Sequence, residues 1–227
     1  MALMKELPNL EQPREKAVHF GMDSLSSREL LSLLIRTGVN GSSSLDTADR
    51  LLQAAGGLKG IPYMTLQEMM QVKGISKVKA LEISACFEIA RRCAREEVFD
   101  EDVISHPEAL IKWLRLTIGH HLQEEMIAVF LNNAHHVLGT ETLFKGTGDA
   151  SLVSARDIFR TALQYGATAV MLAHNHPSGN IQPSQEDLLL TQEIIEAGNL
   201  MKIKVLDHLI ISQNSYISFR KEGWMFD

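Results

Sequence analysis

The chain is expected to combine α+β and α/β character, with an all-helical domain over residues 1–100 and a domain of alternating strands and helices over 105–227. Three observations carry this expectation. Up to about residue 95 the apolar residues recur at helical spacing. Beyond residue 124 short apolar runs of strand length alternate with helix-length patterns. Between them, Arg95-Glu96-Glu97-Val98-Phe99-Asp100-Glu101-Asp102 has little apolar periodicity and reads as a linker.

The elements follow in order. Ser26-Ser27-Arg28-Glu29 has the spacing of a capping box and opens a helix carrying Leu30, Leu31, Leu33, Leu34 and Ile35, with Gly38 at its end. Gly41 and Ser42 to Ser44 form a loop, Asp46 to Ala55 a short helix closed by Gly56-Gly57, and Thr65 to Met70 another. Val72-Lys73-Gly74-Ile75-Ser76-Lys77-Val78-Lys79-Ala80 is a turn, followed by a long helix to about Arg95. In the second half, Glu125 to Leu131 reads as a strand, Asn132-Asn133 as a turn and His136 to Phe144 as the hairpin partner. Gly146-Thr147-Gly148 is a loop without the spacing of a phosphate-binding fingerprint. Ser154 opens a helix that Gly166 ends, with Ser154 and Asp157 as caps. A buried strand over 168–173, a helix over 184–198 ending at Gly198-Asn199, and strands from Ile203 to Ile211 and Tyr216 to Phe219 complete the pattern.

Composition bounds the function. At 227 residues and 45% hydrophobic content the chain can bury one large core or two small ones. A net charge of −6 gives no global basic signature, so any nucleic-acid contact must come from a local patch. Cys86 and Cys93 are seven apart, on one helix face, and are expected to pack among apolar side chains; nothing suggests a disulfide framework. Lys5, Glu6 and Pro8 stand where a signal peptide needs an apolar run, and no run reaches transmembrane length. A cytoplasmic chain with no membrane contact is expected.

The most informative stretch is His174-Asn175-His176-Pro177-Ser178-Gly179, continuing to Ser184 and Asp187. Histidines at i and i+2 on an extended segment point the same way. They end an apolar strand, where open α/β sheets place their sites. Ser184-x-x-Asp187 is also a helix-start signature, and a helix N-terminus is a favourable place to present a carboxylate. Two imidazoles and one carboxylate, with a fourth position open to water, form the ligand pattern of catalytic zinc.

His174-x-His176, then seven residues to Ser184 and two more to Asp187, resembles the JAMM (MPN-plus) metalloprotease motif. With the later Val205-Leu206-Asp207-His208, the HNHPSG and PSxxD segments resemble more narrowly the bacterial RadC family, over most of the chain. The resemblance implies an MPN (JAMM)-type domain with a mixed sheet between helices, one Zn2+ held by His174, His176 and Asp187, and a zinc metallopeptidase or isopeptidase acting on amide bonds of a peptide or protein. It implies a catalytic Glu near the start of an upstream strand, which alignment puts at Glu124. Glu125 is the alternative, and side-chain alternation lets only one of the two face the metal. Ser184 is then placed to stabilise the oxyanion besides capping its helix. Asp207 and His208 are read as supporting groups, since three ligands are already assigned.

Other metal chemistries fit less well. No cysteine follows the histidines, as a nucleobase deaminase requires. Only Asp187 is well placed among the carboxylates that a two-metal nuclease would use. The Val72–Ala80 turn resembles a helix-hairpin-helix, which would offer Lys73, Gly74, Lys77, Lys79 and a helix N-terminus to a DNA backbone, with Ser76 where the usual form has a second Gly. The alternative function is thus a DNA-associated binding protein with a vestigial or structural metal site.

Overall fold

The computed structural model describes residues 11–146 and 153–225, and in its first half capping chemistry decides where the helices begin. Helix α1 (Pro13–Phe20) starts on Pro13, whose fixed φ suits the first helical position. Helix α2 (Ser27–Ile35) has Ser26 as its N-cap: the Ser26 hydroxyl accepts from Glu29 N and the Glu29 carboxylate accepts from Ser26 N. Ser43 with Asp46 starts α3 (Ser44–Ala55) in the same way, and Thr65 with Glu68 starts α4 (Leu66–Gln71). Helix α5 (Lys77–Asp100) follows the turn after α4. Leu31, Ile35, Ala48, Leu51, Ile61, Met69, Ile75 and Ile83 close the core of this helical unit.

Two expectations about α5 change. The compact units divide inside it, between Ala90 and Arg91, and the charged stretch from Arg95 to Asp100 is helix rather than linker. Ala94 and Val98, four apart, are buried in the core of the second unit, while Arg95, Glu96 and Glu97 are exposed. The run of charge is the solvated face of a helix. Cys86 and Cys93 are exposed, contrary to the packing role expected of them. The buried stripe passes through Ala80, Ile83, Ala94 and Val98, with Phe87 partly buried beside it, and each cysteine sits one position off that stripe.

The second unit is built on a five-stranded mixed sheet in the order β2-β1-β3-β4-β5. The strands are β1 (Glu124–Leu131), β2 (Val137–Gly146), β3 (Ala169–Asn175), β4 (Lys204–Ile211) and β5 (Tyr216–Ser218). β3 and β4 are parallel and the remaining pairs antiparallel. Alternation sorts the central strands into two cores. Ile127, Val129, Leu131, Ala169, Met171 and Ala173 face Leu110, Trp113 and Leu114 of α6 (Pro107–Thr117). Met126, Ala128, Phe130, Val170 and Leu172 face Ile158, Phe159 and Ala162 of α7 (Ala155–Tyr165) and Leu190 and Ile194 of α8 (Gln185–Met201). The α/β domain with a mixed sheet between helices is therefore observed.

Helix α6 had no counterpart in the sequence reading, although Pro107 at its first turn and the buried spacing of Leu110, Ile111, Trp113 and Leu114 are legible in retrospect. Helix α8 does not stop at Gly198. A Cβ there would lie 2.6 Å from Ile203 O, so the glycine marks close packing of the helix against the chain that enters β4. The helix ends instead at Lys202, in the left-handed region. Ser154 precedes α7, but its side chain makes no capping bond. Of the loop expected at Gly146-Thr147-Gly148, Gly146 closes β2 and the other two lie outside the described residues. Among the described residues no helix is long and apolar enough to cross a membrane.

Candidate metal centre

His174 lies in the last turn of pleat of β3, opposite Met126 of β1. Strand alternation therefore puts His174 and Glu124 on the sheet face that α8 covers, and turns Glu125 and Asn175 to the other. His176 follows just past the strand, and Ser184 and Asp187 supply the first turn of α8. One ligand atom from each of Glu124, His174, His176 and Asp187 lies within 4.8 Å of all the others. Asp187 Oδ1 is 3.2 Å from His174 Nε2, Asp187 Oδ2 is 3.3 Å from His176 Nε2, and the two Nε2 atoms are 3.0 Å apart.

The outer hydrogen bonds fix which way the imidazoles face. His176 Nδ1 lies 2.9 Å from Asn180 O, which can only accept, so Nδ1 carries the hydrogen. Thr191 Oγ1 donates to Asp187 O at 2.5 Å, and so accepts from His208 Nδ1 at 2.6 Å. That leaves His208 Nε2 as the acceptor for His174 Nδ1, 2.8 Å away. His208 is completely buried, and burial holds it well below the ordinary imidazole range, which keeps it neutral for this role. Both histidines thus aim Nε2 lone pairs at the space beside Asp187. Two lone pairs this close repel unless a cation lies among them, and the donor set of two imidazole nitrogens and a carboxylate suits Zn2+.

Asp187 is poised to be anionic. Burial opposes its ionisation, but the Ser184 hydrogen bonds, together with those from His174 and His176 whenever a proton rather than a metal sits on their Nε2 atoms, outweigh burial and hold the carboxyl well below the usual range. The same Asp187 carboxylate raises His176 above the ordinary imidazole value. Ser184 performs the capping role: its N and Oγ each donate to Asp187 Oδ2 at 2.7 Å, and Oγ accepts from Asp187 N.

Glu125 is not part of this group. Its buried carboxylate accepts from His121 Nδ1 at 2.7 Å and from Lys145 Nζ at 2.5 Å. Asn175, between the two histidines in sequence, shares its side: its Oδ1 accepts from Glu125 N, and its Nδ2 donates to His121 O and Gln123 O. Asn175, His121 and Thr191 were not singled out from the sequence. The signal for Asn175 was its place between two inward-facing strand residues, and for Thr191 its position four after Asp187.

Residues 104–224 match the RadC-like JAB domain, and residues 4–81 match the UPF0758 N-terminal domain. The chain belongs to the RadC family. A UPF0758 protein of Listeria welshimeri is 38% identical over 98% of this chain and 99% of its own length. UPF0758 proteins of Desulfitobacterium hafniense and Cellvibrio japonicus are each 37% identical, over 97% and 96% of this chain and 97% of their own lengths. These RadC-family relatives carry names that state no activity.

The residues expected to meet a phosphate backbone lie in the helical unit, in the turn between α4 and α5. Gly74 has φ of +103° and packs on Thr47, whose Oγ1 would be 2.7 Å from an added Cβ, so only glycine fits. Ser76 Oγ accepts from Lys79 N, a helix-capping bond that a glycine could not make. Lys79 Nζ donates to Thr37 O at 2.7 Å and Gly74 O at 2.9 Å, which ties the lysine into its own unit. Lys73 and Lys77 are exposed.

Proposed function

We propose that this chain is a zinc-dependent hydrolase of the JAMM type, a metallopeptidase or isopeptidase that cuts an amide bond in a peptide or protein. The observation that carries this reading is the convergence of His174 Nε2, His176 Nε2, Asp187 and Glu124, with every outer imidazole nitrogen already committed elsewhere. His174, His176 and Asp187 would hold the metal. Zinc, when bound, supplies Lewis acidity and lowers the pKa of water.

The chain's own residues do the rest. Glu124, half-buried on the same sheet face, takes a proton from the attacking water on a carboxylate oxygen and returns it to the leaving nitrogen. The Thr191–His208 line holds the His174 ring so that its Nε2 stays turned to the centre. Ser184 is an exposed residue at the rim, and its hydroxyl would donate to the developing oxyanion. Its present acceptor, Asp187 Oδ2, would be a weaker one with a metal on that carboxylate.

Incubation of the zinc-loaded chain with a defined peptide pool, read by mass spectrometry, tests the reading. Cleavage that a chelator stops and that Glu124→Gln abolishes is the expected result. Cleavage that is indifferent to both, or no cleavage of any pool member, contradicts it.

A second reading, DNA contact by the α4–α5 turn, is favoured by the exposed Lys73 and Lys77 beside the first turn of a long helix. It would give the chain a weak, salt-sensitive, sequence-independent grip on a duplex, in addition to the hydrolytic site.

A further inference from the structure

A cavity of about 270 Å³ adjoins the metal centre at the end of the sheet, with His176 in its wall. Its other side chains include His120, His121, Ser178, Gln213 and Asn214. This is just under the roughly 300–1,000 Å³ of pockets that enclose a whole small molecule, so it suits a single residue of a longer substrate. No Asp, Glu, Lys or Arg lines it. An ionised side chain therefore finds no carboxylate, ammonium or guanidinium in the wall to pair with, whereas an uncharged polar group finds donors and acceptors on several sides.

His121 gives the cavity its sharpest feature. Glu125 is buried behind it, with its charge shared by Lys145, and accepts from His121 Nδ1. In the neutral imidazole this leaves His121 Nε2 as a fixed acceptor. The ring does not drift, because Asn175 anchors the backbone of His121 and Gln123 to the residue between the two metal-facing histidines. The substrate subsite and the metal centre are thus held in register by one side chain. Burial keeps His120 neutral, its pKa pushed down to about 3. Gln213 and Asn214 are exposed on the facing loop and offer carboxamide donors.

We propose that this cavity is the specificity subsite of the hydrolase, that it takes an uncharged carboxamide side chain of the Asn type next to the scissile bond, and that His121 is the residue that contacts it. The carboxamide N–H donates to His121 Nε2 while its oxygen accepts from the facing loop. This inference rests on the amide-hydrolase reading above for its purpose, but its binding test stands apart from turnover.

Three acetylated, amidated tripeptides, Gly-Asn-Gly, Gly-Asp-Gly and Gly-Leu-Gly, are titrated into the full chain, with and without zinc, by following histidine ring resonances. The central side chains are close in size and differ in charge and hydrogen bonding. The Asn peptide is expected to bind about tenfold more tightly than the other two, as a site that pairs a polar group rejects analogues lacking it. His121→Ala and, on the exposed loop, Asn214→Ala are each expected to remove most of that preference while leaving zinc content unchanged. Equal or tighter binding of the Asp or Leu peptide overturns the proposal, as does a preference unaltered in both variants. A chain that fails to bind zinc yet prefers the Asn peptide would defeat the metal reading alone. One that binds zinc without the preference would defeat only the subsite.

Discussion

His174 Nδ1 and His208 Nε2 lie 2.8 Å apart in a buried line that continues through Thr191 to the carbonyl of Asp187. The line begins at His174 on β3 and ends at Asp187 on α8, two members of the proposed metal group, so it couples them through a residue that stands outside that group. Changing His208 should therefore weaken the site without removing a ligand. His208→Phe is expected to lower zinc affinity about 10- to 100-fold, the usual effect of losing an outer partner of a ligand histidine. Competition with a chromophoric chelator measures it; unchanged affinity would show that the His174 ring needs no support.

Glu124 and Glu125 are adjacent but should fail differently. Glu124→Gln is expected to keep stoichiometric zinc and lose about 10²-fold or more in hydrolysis. Glu125→Gln should keep Glu124 chemistry available but destabilise the fold by about 1–3 kcal/mol, because the buried carboxylate loses charged hydrogen bonds to His121 and Lys145. Denaturant unfolding of the two variants separates the effects.

How far the sequence carried depended on whether a signal was local. The capping boxes at Ser26–Glu29 and Ser184–Asp187 involve residues three apart, and both were readable. The convergence of His174, His176 and Asp187 was readable because they sit close in the chain and in a distinctive spacing. Glu124 needed strand register, which the sequence leaves one residue uncertain and which pairing of Met126 with His174 decides. The Asn175–Glu125–His121 cluster joins residues about fifty positions apart, and no local pattern announces it. The helical state of Arg95–Asp100 was hidden by its charge, since Ala94 and Val98, with Phe99 partly buried beside them, are all that mark the buried side.

DNA contact, if the α4–α5 turn makes it, should depend on two lysines and not three. Lys73→Ala with Lys77→Ala is expected to lower the slope of log K against log salt by about two units. Lys79→Ala should leave that slope nearly unchanged and instead cost about 1 kcal/mol of stability, since its ammonium is bonded to Thr37 O and Gly74 O. Anisotropy titrations with a short duplex and unfolding curves distinguish the two; a slope that responds equally to all three lysines contradicts the assignment.

His120 should make the zinc-free chain acid-sensitive. Burial first, and His121 second, push its folded pKa down to about 3 from an ordinary value of 6.5. Between those values the unfolded chain binds the extra proton, so stability rises with pH and is lost as pH falls from 6.5 toward 3. Replacing His120 by Gln removes that proton, so the melting temperature of His120→Gln should fall less steeply than wild type between pH 6.5 and pH 4. Parallel curves would show that His120 is protonated in the folded chain.

His174, His176 and Asp187 together are predicted to hold one zinc ion. Elemental analysis of purified wild type and His176→Ala, after dialysis against metal-free buffer, tests it most directly. About one zinc per wild-type chain and none held stoichiometrically by the variant is the predicted result. Equal zinc in the two proteins would contradict the claim.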